Sequence, residues 1–440
     1  MPTNETEPDT QVRPAPDSPP TAKKARTQAV ILAAVALGFV IALMSSSIKN
    51  TVTVFYVSMS EDFSVSRGTF AIAPSVFMLT YAIASPIMGF AADRIGARRS
   101  LAGGLVLGGA MFLIGGVVSS FAVFSVVYGV GMAIAYTAVS YVPLGVLVDE
   151  LFPPHRRGLT YAILMNGTAV GFIALVPLWI YVEKSTSWRT VFIALGVVMV
   201  ALMFLALVFL PGEKKAQGKT EQAGEEAAKA PGEQQPTDGA PGGMFGAALR
   251  SPVFWTISLA FVGCGVTMSF VDVHLVASLD SHGLGGGTAS TTMAILGAAE
   301  IVGSLVAGYL CDRGHGLKVL AGCYLIRALS LVVMVVAPTV LTAWVFGLLF
   351  GISYLGTVVA GSMYLLNALD PRAKGLALGM MWCLHQVGAF AASEAGGLSF
   401  DALHSYDPIV IGAAASAGLS FLIVVLALPK ALRKANPTHA

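Results

Sequence analysis

Charge is what this chain most lacks. Asp, Glu, Lys and Arg make up 11% of its 440 residues, against 55% hydrophobic side chains and a mean hydropathy of +0.76. A soluble domain carries about 25% charged residues because its surface faces water, so this deficit excludes a soluble fold and puts hydrocarbon around most of the surface. Cysteine is scarce too. Cys264, Cys311, Cys323 and Cys383 stand apart in apolar segments with neither paired nor metal-ligand spacing, which reads as four small buried side chains and implies no metal or cofactor. A basic stripe with interleaved aromatics is missing, which argues against nucleic acid as a partner. No G-x-x-x-x-G-K-[ST], H-E-x-x-H or G-x-S-x-G run occurs, so ATP-driven pumping and hydrolytic chemistry lack a sequence basis and the chain does not read as an enzyme. The first 28 residues are polar and Pro-rich, without the layout of a secretory signal, and are expected to form a disordered tail.

Apolar runs long enough to cross a ~30 Å hydrocarbon core recur twelve times. Their approximate limits are 29–57, 69–92, 101–119, 121–148, 158–182, 189–210, 252–279, 288–311, 318–338, 341–366, 375–400 and 408–430. The runs are continuous and not alternating, which predicts helices, and a helix in lipid satisfies its own backbone hydrogen bonds. The one long polar stretch inside the chain, within 211–250, divides six helices from six. The expected organisation is an all-α membrane protein: a tail (1–28), a six-helix bundle (29–210), a linker (211–250), a second six-helix bundle (251–432) and a short tail (433–440). Of 26 Lys and Arg residues, 21 fall on one side of this layout, three (Arg67, Lys184, Arg189) on the other, and Lys49 and Arg327 inside spans. The positive-inside rule therefore predicts a multi-pass protein of the plasma membrane with both termini and the linker in the cytoplasm.

The halves repeat. GFAADRIGARR (Gly89 to Arg99) returns as GYLCDRGHGLK (Gly308 to Lys318) at a shift of 219, and RGLTYAILMNGTAVG (Arg157 to Gly171) as KGLALGMMWCLHQVG (Lys374 to Gly388) at a shift of 217. Two shifts in register predict two pseudo-symmetric bundles. Six plus six helices with G-x-x-x-D-R-x-G-x-R-R after the second span resemble the major facilitator superfamily across nearly the whole chain. In that context Asp93 is expected to face Arg98 or Arg99 at a helix end, a charge-assisted latch between states, with Arg94, and Asp312 and Arg313 in the repeat, beside it. The segment Ser47 to Phe70, with Trp188-Arg189, Val273-His274-Leu275, Gly297 to Arg313 and His385-Gln386-x-Gly388, resembles the monocarboxylate and oxalate/formate porters. The chain departs from many of those relatives in carrying Ser304 one turn after Glu300, where they have Arg.

A charged side chain in mid-membrane costs at least ~2.5 to 3.5 kcal/mol, so each needs a partner, a wet cavity or a task. Lys49 sits roughly 30 Å along its helix from Ala29, among Ser45, Ser46, Ser47, Asn50, Thr51 and Thr53. It reads as an anchor for an organic anion or as a snorkelling lysine. Glu300 and Arg327 match in depth on neighbouring spans, which predicts an ion pair, either a proton carrier or a static one. His385 lies at a similar depth, with Thr168 as its repeat mate beside Asn166; it is a candidate for substrate binding and proton coupling, with a packing hydrogen bond as the other reading. Tyr136 and Tyr354, repeat mates at a shift of 218, line the pathway or pack against it. Asp272 and His274 point about 200° apart on one helix, so one of them belongs at the outer mouth.

These residues lead to a monomeric secondary transporter that moves a small organic anion through a central cavity by rocking of the bundles, with proton symport as the drive. The alternatives are an efflux antiporter for drugs or metabolites within the same superfamily and a transporter-like membrane sensor. The expected partners are the anion, protons and membrane lipid.

Overall fold

The computed structural model describes residues 22–183, 185–211, 246, 249–369 and 374–435. The expected first tail up to residue 21, the last five residues and nearly all of the linker lie outside the described residues.

Among the described residues, ten helices are long and apolar enough to cross a membrane. They are α1 (Ala22–Val54), α2 (Ile72–Val117), α3 (Phe121–Leu151), α4 (Arg157–Glu183), α5 (Trp188–Phe209), α6 (Pro252–Ser281), α7 (Gly287–Val336), α8 (Val340–Ala368), α9 (Lys374–Leu403) and α10 (Asp407–Ala431). Two of them, α2 and α7, run for 46 and 50 residues, each enough for two crossings of about 20 residues. Each is bent where a glycine takes positive φ: Gly96 at 78° in α2 and Gly314 at 82° in α7. A side chain with a Cβ rarely adopts that conformation, so these glycines turn the chain back between two spans. Ten helices thus make twelve crossings, and α1 to α5 in one half correspond to α6 to α10 in the other. The first helix begins at Ala22 and not at residue 29, because the basic segment ahead of the apolar run continues its helical path.

Polarity is distributed the reverse of a soluble protein. Leu32, Val117, Val208 and Val336 are 71–77% exposed, while Ser45, Ser47, Thr51, Ser258, Thr267 and Ser353 are fully buried. An apolar exterior around a hydroxyl-rich interior is stable only with lipid outside, so the chain is a multi-pass membrane protein. Many buried hydroxyls are satisfied within their own helix, as when Thr267 Oγ1 donates to the Gly263 carbonyl at 3.0 Å.

The two halves meet at two backbone crossings near the loops that carry Arg98, Arg156 and Arg313, here called the basic face. At Gly89 an added Cβ would lie 2.0 Å from the Gly375 carbonyl oxygen, where α2 crosses α9. At Gly308 it would lie 2.6 Å from the Gly158 carbonyl oxygen, where α7 crosses α4. The pairs exchange under the sequence repeat, Gly89 with Gly308 and Gly158 with Gly375, so the internal symmetry of the chain is carried into its inter-half contacts. Small residues here let the backbones approach closely.

Gly89→Ala should therefore force α2 from α9 and favour the arrangement with the basic face parted. Spin labels at His155 and His315, which are exposed in turns of opposite halves, should show longer distances in the variant than in the unsubstituted chain; identical distance distributions would contradict this role of the crossing.

Candidate functional site

The halves are joined at the basic face by a latch, and a cavity lies between them above it. In the latch each acid of the repeated motif reaches across to the other half. Asp93 on α2 accepts from the backbone N–H groups of Gly375 and Leu376, both at 2.7 Å, at the start of α9. Asp312 on α7 accepts from Gly158 at 2.6 Å and Leu159 at 2.9 Å, at the start of α4. The first N–H groups of a helix have no partner within it, and the macrodipole adds positive potential there, so a carboxylate is a fitting cap. Gly89 and Gly308 each precede their acid by four residues, one turn, on the same helix face. The close crossing is what brings the acid to the helix end.

This corrects the expected pairing of Asp93 with Arg98 or Arg99. Both Asp93 oxygens are filled by backbone donors, and Arg98 Nη2 donates instead to the Leu207 carbonyl on α5. Arg94 lies over the Phe90 ring at 4.4 Å and its repeat mate Arg313 over Tyr309 at 4.6 Å, so both arginines flank the latch on aromatic faces. A further acid, Asp149 at the end of α3, holds Arg157 at 2.6 Å from its own half and Lys374 at 3.0 Å from the other. Arg157 also donates to Asn367, at 3.1 Å, in the opposite half. Sequence reasoning passed over Asp149, although Arg157 and Lys374 open the two repeated segments and an acid near both was a usable signal.

About 12 Å along α3 and α9 from this face, at 1.5 Å per residue, the Tyr141 ring stacks on Trp382 with centroids 4.1 Å apart. Above this stack lies a cavity of about 450 Å³ whose polar lining includes Lys49, Tyr136, Thr168, Asp272, Glu300 and Tyr354. With the basic end closed by the latch and the stack, access to the cavity is from the opposite face.

The cavity is built around one ion pair between the halves. Lys49 Nζ on α1 lies 3.3 Å from Asp272 Oδ2 on α6, and the Tyr354 hydroxyl donates to the other carboxylate oxygen at 3.3 Å. Lys49, Tyr136, Tyr354 and Glu300 are thus brought together as cavity-lining groups. Asp272, expected to share the outer mouth with His274 as alternatives, faces the cavity. His274 turns away and is buried, its Nε2 3.0 Å from the Ser393 carbonyl oxygen.

Three expected placements are not met. Arg327 does not pair with Glu300: its fully buried guanidinium donates to Cys264 Sγ (3.1 Å), Thr267 Oγ1 (3.1 Å), Thr357 Oγ1 (2.8 Å) and the carbonyls of Ser353 (2.7 Å) and Tyr354 (2.9 Å). Equal depth on two helices does not fix their rotation, and the planar fork of donors is met by α6 and α8. His385 stands behind the lining, with Nδ1 2.9 Å from Gln386 Oε1 and Nε2 3.3 Å from the sulfur of Met268, which does line the cavity. Asn166 is spent on the other half, accepting from Ser304 Oγ at 2.9 Å. Ser304, where many porters have Arg, is therefore a contact between halves.

Twelve crossings in two symmetric halves, an acid from each capping a helix of the other, and a central cavity between them define the architecture of a membrane transporter. The chain belongs to the Major Facilitator Superfamily, whose family model matches residues 35–393. It is 31% identical over 410 residues to the uncharacterized MFS-type transporter YcxA of Bacillus subtilis, covering 91% of this chain and 96% of that protein. It is 24% identical over 402 residues to monocarboxylate transporter 12-B of Danio rerio, covering 84% of this chain and 80% of the relative. Among solved structures, the proton:xylose symporter XylE superposes with a TM-score of 0.70 at 14% identity, over 92% of this chain and 97% of that one; this likeness concerns the fold.

Loss of a charged helix cap costs about 0.5–2 kcal/mol. Asp93→Ala and Asp312→Ala should each weaken the closed basic face by roughly 2- to 30-fold. A cysteine at Ser85, buried where α2 meets Gly379 of α9, should then be labelled faster from the basic side; an unchanged labelling rate would count against the latch.

Proposed function

We propose that the chain carries a small organic anion of the monocarboxylate type across the plasma membrane by alternating access, with a proton as co-substrate and the monomer as the functional unit. The observation that carries this reading is Lys49: among the described residues it is the one cation lining the cavity, and only a carboxylate from the opposite half holds it. An ammonium so placed offers an anion a charge-assisted bond in a chamber whose other lining groups are apolar, phenolic, hydroxyl, amide and carboxyl side chains. The Danio rerio relative bears the name of a monocarboxylate transporter, which agrees with that chemistry. Asp272 and Glu300 in the same lining are protonatable, and a proton carried with a monocarboxylate balances its charge. In this reading the cavity is loaded from the outside, the latch and the Tyr141–Trp382 stack part, and the cargo leaves on the basic, cytoplasmic face.

Two measurements test the proposal. Lys49→Gln should raise the apparent KM for the transported acid by roughly ten- to a hundredfold, the weight of a charge-assisted hydrogen bond, with a smaller change in kcat; an unchanged KM would mark Lys49 as a snorkelling side chain. For orientation, cysteines introduced at the exposed positions His155 and His315 should react with a membrane-impermeant maleimide only from the cytoplasm, and one at Ser185 only from outside. The reverse pattern would overturn the assignment of faces.

A further inference from the structure

The cavity holds its cation already neutralised. Lys49 Nζ is 3.3 Å from Asp272 Oδ2, so an incoming carboxylate meets an anion in the position it would take. Glu300 adds a second acid to the lining, giving two acids to one base. Two carboxylates in one chamber with a single ammonium repel each other, and a proton on one of them relieves that repulsion. The Lys49 and Asp272 side chains are 42% and 40% exposed, so water, protons and a small anion reach both from the open side.

We propose that Asp272 is the proton-carrying counterion of Lys49: a substrate carboxylate takes its place on the ammonium as Asp272 takes up one proton. The proposal rests on the carboxylate reading above and names the residue that couples it. With the cavity open, a proton from water binds Asp272 Oδ2, the ion pair with Lys49 breaks, and the substrate carboxylate pairs with Lys49 in its stead. On the other side the substrate leaves, Asp272 returns its proton to water, and the original pair re-forms. No covalent bond of the substrate changes, and one proton travels per carboxylate.

Coupling follows from charge balance. The empty state, with Asp272 ionised on Lys49, and the loaded state, with Asp272 protonated and the substrate on Lys49, carry the same net charge over these groups. The two leak states do not: a proton without substrate strands an ammonium, and a substrate without a proton places two carboxylates on one ammonium. Closing the cavity around either leaves a buried charge uncompensated, which disfavours the transition.

The surroundings fit this task. Lys49 from α1, Tyr136 from α3, Glu300 from α7 and Tyr354 from α8 line the chamber with Asp272. Tyr354 donates to Oδ1, which leaves Oδ2 for the proton and keeps the carboxyl group in place throughout the exchange. On its own helix His274 is turned toward the Ser393 carbonyl of α9 and the Tyr406 ring beside α10, and on α9 His385 is turned toward Met268 and Gln386. No ion pair joins Glu300 to Lys49 among the described residues, so Asp272 is the acid that substrate displaces.

The full chain in proteoliposomes, supplied with ¹⁴C-labelled acetate, lactate, pyruvate and benzoate, gives the test. For an accepted acid the unsubstituted protein should accumulate label down an inward proton gradient, and apparent KM should fall by up to about tenfold per pH unit of acidification, as reciprocal linkage requires. Asp272→Asn, a stand-in for the protonated acid, should keep exchange at equal pH, lose gradient-driven accumulation and flatten the dependence of KM on pH; Asp272→Glu should restore accumulation. Accumulation by Asp272→Asn at the unsubstituted level would overturn the proposal, as would loss of exchange in an Asn variant that melts at the unsubstituted temperature. Should the Asn variant not fold, a KM independent of pH in the unsubstituted protein overturns it equally. Failure of all four acids to enter unsubstituted liposomes, with or without a gradient, would sink the carboxylate reading itself and this proposal with it.

Discussion

Hydrocarbon permits no unpaired backbone donor, and a spanning helix meets that demand everywhere except at its ends. The arrangement of this protein depends on how two of those ends are filled. The first N–H groups of α4 and α9 are capped by Asp312 and Asp93, and in each case the acid belongs to the opposite half. A cap that elsewhere would only finish a helix here ties two bundles together, through part-buried hydrogen bonds from a helix end to a carboxylate of the other half. The glycine one turn before each acid follows from the same need: without backbone contact at Gly89 and Gly308 the carboxylates would not reach.

Around that latch the charges fall into two groups. Asp149, Arg157 and Lys374 add ion pairs at the basic face, and Arg189 with Asp62, paired at 2.9 Å, closes a corner within the first half at the other. The charges between the two faces are handled differently. Arg327 is surrounded by hydroxyls, carbonyls and a thiol, and ties α6, α7 and α8 into one unit within the second half. Lys49 is paired across the halves with a group open to the cavity. The buried cation therefore serves the rigidity of a half, and the half-exposed one bridges the two halves.

Much of this was legible in the chain itself. Twelve apolar runs and the repeat at shifts of 219 and 217 follow from composition and one-dimensional spacing, which also singled out Lys49, Glu300, Tyr136 and Tyr354 as candidates while leaving snorkelling and packing open as their other readings. Run length and rise per residue set depth, and depth is what a sequence reports well for a membrane helix. The same arithmetic brought Glu300 and Arg327 to one level and stopped there, since a match in depth carries no information on which way each helix is turned.

Rotation and partner choice were decided by tertiary packing. The latch motif named its acids, yet their partners are backbone groups of a helix almost 300 residues away in one case, invisible to any search among side chains. His385 and Asn166 looked like pathway residues because they are polar at the right height, but helix packing turned the first behind Met268 and gave the second to Ser304. Asp272 stood two residues from His274 with nothing in the sequence to choose between them; the turn of α6 against α1 pointed the acid at Lys49. The sequence by itself determined the class of protein, its span count and its internal symmetry, because these rest on hydrophobicity and length. Which charges meet was left to the folded structure, because ion pairs and caps depend on the azimuth of packed helices, and azimuth is set by contacts between segments that are distant in the chain.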